Sequence, residues 1–63
     1  MIITATGLIR DEGSLVVMSG TAEGCPAPVS FVVEHRYAAD ILQAIEAGEE
    51  PEVEVPDYMV GWA

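Results

Sequence analysis

The chain has 63 residues, a formal net charge of −9 and a hydrophobic content of 51%, which describe one small, acidic, apolar-rich domain. The charge argues against direct binding to nucleic acid or to an anionic membrane, because both would repel it. With one cysteine and one histidine, the chain cannot form an internal disulfide or complete a structural zinc site by itself.

Two segments rich in β-branched residues predict an N-terminal hairpin. Residues 2–9 are expected to form the first strand, with a candidate bulge at Gly7, and residues 14–19 the returning strand. Residues 10–13 form the turn, in which Gly13 can take the left-handed conformation that closes a hairpin. The apolar face of the first strand consists of Ile3, Ala5 and Ile9.

A loop and a third strand follow. Residues 21–28 contain two prolines and a glycine, which predict a loop. Residues 29–35 alternate, with Val29, Phe31 and Val33 on one face and more polar side chains on the other, and this period of two predicts a strand.

Residues 36–47 predict an amphipathic helix of about three turns. Gly48 is the expected residue after its C-cap, and Pro51 prevents the helix from continuing. We expect the helix to pack across the apolar face of the sheet with one stripe, which consists of Tyr37, Ile41, Leu42 and Ile45.

A short acidic strand completes the predicted elements. In residues 52–55, Val53 and Val55 point one way and Glu52 and Glu54 the other, and the flanking prolines favour an edge position. The order β-β-β-α-β predicts an α+β domain, with a mainly antiparallel sheet of about four strands and one helix on one face. Because so short a chain buries only about 60% of the surface that it exposes when unfolded, we expect it to form a homo-oligomer through the other face.

The last third of the chain concentrates the negative charge. Residues 37–63 contain seven acids and no base, whereas residues 1–36 contain four acids and two bases. We define the acidic edge as the six carboxylates of Glu46, Glu49, Glu50, Glu52, Glu54 and Asp57. Along a strand, alternate side chains repeat about every 6.7 Å, and regularly spaced negative charge can imitate a nucleic-acid backbone and occupy a basic groove. The alternative is that these acids only prevent edge-to-edge aggregation and keep the domain soluble.

Tyr58 and Trp62, in the apolar tail, offer a second hint of binding. Tyrosine and tryptophan are enriched in the hot spots of interfaces, so both residues are candidate anchors beside the acidic edge. The alternative, which we favour, is that the tail folds back over the sheet or a sister subunit and completes the core.

No pattern in the sequence predicts catalysis. His35 and Glu34 are neighbours on a strand and point to opposite faces, so they form no local dyad. Cys25 has no cationic neighbour in sequence to favour its thiolate, and the acidic run lacks the spacing of a calcium-binding loop. We therefore predict no catalytic residue, no metal site and no cofactor, with a functional His35 or Cys25 as the minor alternative.

The function predicted is that of a non-enzymatic acidic module that binds a basic protein surface, for example in a nucleic-acid-binding complex. The residues predicted to bind are the acidic edge with Tyr58 and Trp62. In size, acidity and lack of motifs, the chain resembles the inhibitors of phages and mobile elements, including anti-CRISPR and anti-restriction proteins. The alternative is a homo-oligomeric structural or regulatory protein. Since the first residues lack the features of a signal peptide and no long apolar run exists, we expect a cytoplasmic protein without a membrane span.

Overall fold

A computed structural model describes all 63 residues and shows an α+β fold with a five-stranded antiparallel sheet and one helix. The sheet order is β4-β1-β2-β3-β5. In chain order the elements are β1 (Ile2–Asp11), β2 (Leu15–Ala22), β3 (Val29–Glu34), α1 (His35–Glu46), β4 (Glu52–Glu54), a 3₁₀ turn (Asp57–Met59) and β5 (Gly61–Trp62). The predicted class and helix are confirmed, and the number of strands is five rather than four.

The long hairpin of β1 and β2 is interrupted by two bulges. The register of β1 against β2 shifts between Ala5 and Gly7 and again between Leu8 and Arg10. The first shift confirms the bulge expected near Gly7. The prediction for Ile9 is wrong, and this side chain is 47% exposed. The first bulge exchanges the two faces of β1, so that Leu8, paired with Met18, lies on the core side, and Ile9 is left without a partner at the second bulge.

The second strand is longer than predicted. The predicted strand ends at Ser19, whereas β2 continues to Ala22. Gly20 is paired with Ala5 on one side and Val29 on the other, so it is an interior strand position. The predicted loop is correspondingly shorter, and the turn before β2 is confined to residues 12–14.

The core lies between the concave face of the sheet and α1. It consists of nine buried hydrophobic side chains, namely Ile3, Ala5, Val16, Met18, Ala22, Val29, Phe31, Ala38 and Val55. From the helix, Ala38 is fully covered while Ile41, Leu42 and Ile45 pack partly against this cluster. Tyr37 was wrongly placed in the packing stripe, since it is 51% exposed; the stripe is centred on the neighbouring Ala38.

The C-terminus of α1 forms the structure that the sequence predicted. Gly48 has a φ of 87°. Its N–H donates to the carbonyl oxygen of Ile45 at 3.0 Å, and the N–H of Glu49 donates to the carbonyl oxygen of Ala44 at 3.0 Å. These two bonds make a Schellman motif, which needs a left-handed residue after the C-cap.

The last two strands lie at opposite edges of the sheet. β4 pairs with β1 and places Val53 opposite Ile3, and β5 pairs with β3 through Val29 and Trp62. The tail therefore folds back onto the sheet, by adding a short strand that the sequence did not predict. β3 and β4 nevertheless line one common groove, although two strands separate them in the sheet, so the sheet wraps around the helix.

Candidate partner-binding site

All six residues of the acidic edge are exposed to solvent. Glu46 ends α1, Glu49 and Glu50 lie in the connection to β4, and the others belong to β4 or to the turn after it. The six exposed acids thus lie on one stretch of chain, residues 46–57, which runs from the end of α1 to the 3₁₀ turn.

The structure confirms the orientation predicted for the β4 side chains. Val53 pairs with the fully buried Ile3 and is half-buried beside the core. Glu52 and Glu54 pair with Thr4 and Ile2. Since neighbouring residues of a strand point to opposite faces, the two glutamates project from the convex face of the sheet, away from the helix. Their carboxylates are therefore free to meet a partner without disturbing the core.

Five carboxylates of the acidic edge have no cationic partner in the chain. The four ion pairs of the structure are Asp57 with the Met1 amino group at 3.0 Å, Arg10 with Glu12 at 3.3 Å, Arg36 with Glu34 at 3.3 Å, and His35 with Asp11 at 3.7 Å. Both arginines thus lie beside acids outside the acidic edge. The glutamates of the edge remain uncompensated, which makes this segment the strongest concentration of free negative charge on the molecule.

The two predicted aromatic anchors are well exposed. Tyr58 is 88% exposed and Trp62 is 67% exposed, so the fold-back of the tail does not bury them. Val60 between them packs partly against the core instead. The backbone of the tail and Val60 therefore fold back onto the sheet, as one interpretation predicted. The rings of Tyr58 and Trp62 remain exposed, as the other interpretation, an interface with a partner, requires.

An apolar groove that the sequence did not predict adjoins the acidic edge. Its volume is about 620 Å³, and its lining comes from the start of β2, from β3, α1 and β4, and from the 3₁₀ turn. We define the groove by its apolar residues, Leu15, Val32, Val33, Tyr37, Ile41, Val53 and Met59, and by its acidic residues, Glu34, Asp40, Glu52 and Glu54. Sequence analysis missed Glu34, Tyr37 and Asp40, and no local pattern could have found them, because only the curvature of the sheet brings them near β4.

The candidate catalytic residues do not meet. His35 lines none of the cavities, and its Nε2 lies 3.7 Å from an Asp11 carboxylate oxygen, with both side chains more than half exposed. Cys25 is a half-buried free thiol that packs against the core and lines a separate small cavity. No three His, Cys, Asp or Glu side chains are grouped so that they could hold a metal ion.

Comparison with known proteins gives no match to a family model, to a curated protein or to a solved structure. The single α-helix, at 12 residues, falls short of the length and apolar character that crossing a membrane requires.

Proposed function

We propose that this chain is a non-enzymatic protein-binding module whose acidic edge binds a basic surface of a partner protein. The observation that carries the proposal is the set of five exposed glutamates with no cation of the chain beside them. A carboxylate that is already solvated and unpaired gains a new ion pair without first losing an old one. Opposite charge on the partner would also speed association, by steering the two proteins together.

Two further observations support binding over catalysis. Tyr58 and Trp62 expose large aromatic surface on the segment that follows the acidic glutamates, as anchors of an interface do. His35 and Cys25, the two side chains best suited to catalysis, line no common cavity.

A finer form of the proposal concerns the kind of partner. Glu52 and Glu54 project from the same face of β4, with origins about 6.7 Å apart, so they offer a short row of evenly spaced negative charge. A protein groove that holds phosphates would accept such a row. The chain would then be an inhibitor that occupies a nucleic-acid-binding surface of its partner, as anti-CRISPR and anti-restriction proteins do.

The experiment compares two charge-matched variants of the full chain. One carries Glu49→Lys and Glu50→Lys on the acidic edge, and the other carries Glu12→Lys and Glu23→Lys, which are exposed acids elsewhere. Each chain is immobilised, incubated with lysate of the native host and eluted with a salt gradient. We expect the wild type and the second variant to retain the same basic protein, and the first variant to release it at much lower salt. Equal retention by both variants would refute a role for the acidic edge.

A second candidate function, a homo-oligomeric structural or regulatory protein, is favoured by the convex face of the sheet. Ile2 is 56% exposed and Val17 half-buried on that face, and no element of the chain covers it. The acids would then serve mainly for solubility.

A further inference from the structure

We propose that the groove is a strand-addition site that binds an extended segment with alternating basic and apolar residues. The inference builds on the proposed function and specifies the chemistry of the partner segment. It stands on two unpaired strand edges, on the apolar floor between them and on the acids at the rim.

The first unpaired edge belongs to β3. The N–H of His35 donates toward β2, to the carbonyl oxygen of Ser14 at 3.0 Å. On the other side, the N–H of Ala63 donates to the carbonyl oxygen of Pro28 at 3.2 Å. Because backbone groups alternate in direction along a strand, the N–H and C=O groups of Val32 and the N–H of Glu34 point away from β2. The C=O of Glu34 is used by α1, since Glu34 is the N-cap of the helix and an N-cap carbonyl accepts the first intrahelical hydrogen bond. β5 covers β3 only opposite Val29 and Ser30, so this part of the edge has no strand beside it.

The second unpaired edge belongs to β4. The N–H of Ala5 donates to the carbonyl oxygen of Pro51 at 2.9 Å, and the N–H of Val55 donates to that of Met1 at 2.8 Å. Residues 51, 53 and 55 therefore direct their backbone groups to β1. By the same alternation, Glu52 and Glu54 direct theirs outward, where the sheet ends.

Both edges face the same space. The four residues with outward backbone groups, namely Val32, Glu34, Glu52 and Glu54, all line the groove. Unpaired strand edges are templates for another strand, and strand addition is a common way to bind an extended peptide. A segment in the groove would find donors and acceptors on β3, on β4 or on both.

The side chains around the groove specify what the segment carries. Val33 and Val53 project from the concave face, toward the core and Ile41 of the helix, so residues of the segment that point inward should be apolar. Glu52 and Glu54 project from the convex face, so residues that point outward should be basic. Arg36 of the helix contacts Glu34 at 3.3 Å and the ring of Tyr37 at 4.8 Å, and the other three rim acids have no cationic partner.

The occupant is a segment of a partner protein rather than a second copy of this chain. A second copy carries a net charge of −9 and only two basic residues, and no stretch of its sequence alternates basic and apolar residues. Such a copy would bring further carboxylates to a rim that already has four.

The test uses two capped hexapeptides of identical composition, Val-Lys-Val-Lys-Val-Lys and Val-Val-Val-Lys-Lys-Lys. Binding to the full chain is measured by calorimetry, and amide hydrogen exchange is followed by NMR. We expect the alternating peptide to bind about tenfold more tightly, the equivalent of one or two net hydrogen bonds. It should also protect the amides of Val32, Glu34, Glu52 and Glu54.

A pair of variants locates the binding site. Tyr37→Ala removes an exposed side chain of the groove, whereas Ile9→Ala removes an equally exposed apolar side chain elsewhere. We expect only Tyr37→Ala to weaken binding of the alternating peptide. Equal affinity for both peptides, or no protection at the four amides, would refute strand addition and leave the acidic edge as a purely electrostatic surface. Loss of partner retention in the Glu49 and Glu50 variant is a separate result, because neither residue lines the groove.

Discussion

Gly20 is the residue on which the centre of the sheet depends. A Cβ atom at this position would lie 2.4 Å from the Cγ2 atom of Ile3, 2.6 Å from the carbonyl oxygen of Thr4 and 3.3 Å from a ring carbon of Phe31. Ile3 and Phe31 are among the most deeply buried side chains of the core. The glycine therefore lets two core side chains close over the backbone of β2.

We predict that Gly20→Ala destabilises the fold by about 2–3 kcal/mol, at the upper end of the cost of overpacking a core, because a backbone oxygen as well as two side chains must move. Urea denaturation, followed by circular dichroism, measures this change. Gly7→Ala is the control, since a Cβ there meets only the Ser19 hydroxyl oxygen at 3.7 Å, an ordinary contact. Equal losses in the two variants would contradict the packing role of Gly20.

At the scale of elements, the C-terminus of α1 offers a second test. Gly48→Ala places a Cβ in the left-handed region and should cost about 1 kcal/mol. Gly48→Asn should cost less, because asparagine tolerates that conformation. Thermal unfolding of the three chains gives the order. Equal losses for alanine and asparagine would show that the left-handed conformation at position 48 does not determine the cost of substitution.

The elements also show what the sequence can and cannot predict. The alternation of Val29, Phe31 and Val33 and the glycine after α1 are local signals, and both predicted the structure correctly. The two-residue strand Gly61–Trp62 has no period to detect, and its pairing with β3 depends on where the rest of the chain has gone. The predicted end of the second strand at Ser19 was wrong. From sequence alone, a glycine that breaks a strand and a glycine that accommodates its neighbours, as Gly20 does, look the same.

The same distinction holds for the site. Exposure of the acidic edge was predictable, because charged side chains next to prolines on a short strand have no core to enter. The groove was not predictable, since Asp40 on the helix and Glu54 on β4 line one groove only through the curvature of the sheet.

For the whole molecule, net charge gives the two candidate functions opposite responses to salt. Binding to a basic partner is an attraction between unlike charges, so screening weakens it. Association of two copies must overcome the repulsion between two charges of −9, so screening strengthens it. At about 0.15 M salt the screening length is about 8 Å, which is shorter than the smallest dimension of this molecule, 16 Å. Most of the change in binding or in self-association should therefore occur below that salt concentration.

We predict that the isolated chain self-associates through the convex face of the sheet and that its mean mass at micromolar concentration rises as salt is added. Sedimentation or native mass measurement follows the change. Ile2→Thr with Val17→Thr should shift the chain toward monomer, because both side chains lie on the convex face. Leu8→Thr should not, since Leu8 pairs with Met18 and belongs to the concave face, although it is 48% exposed. A monomer at every salt concentration would exclude the homo-oligomer.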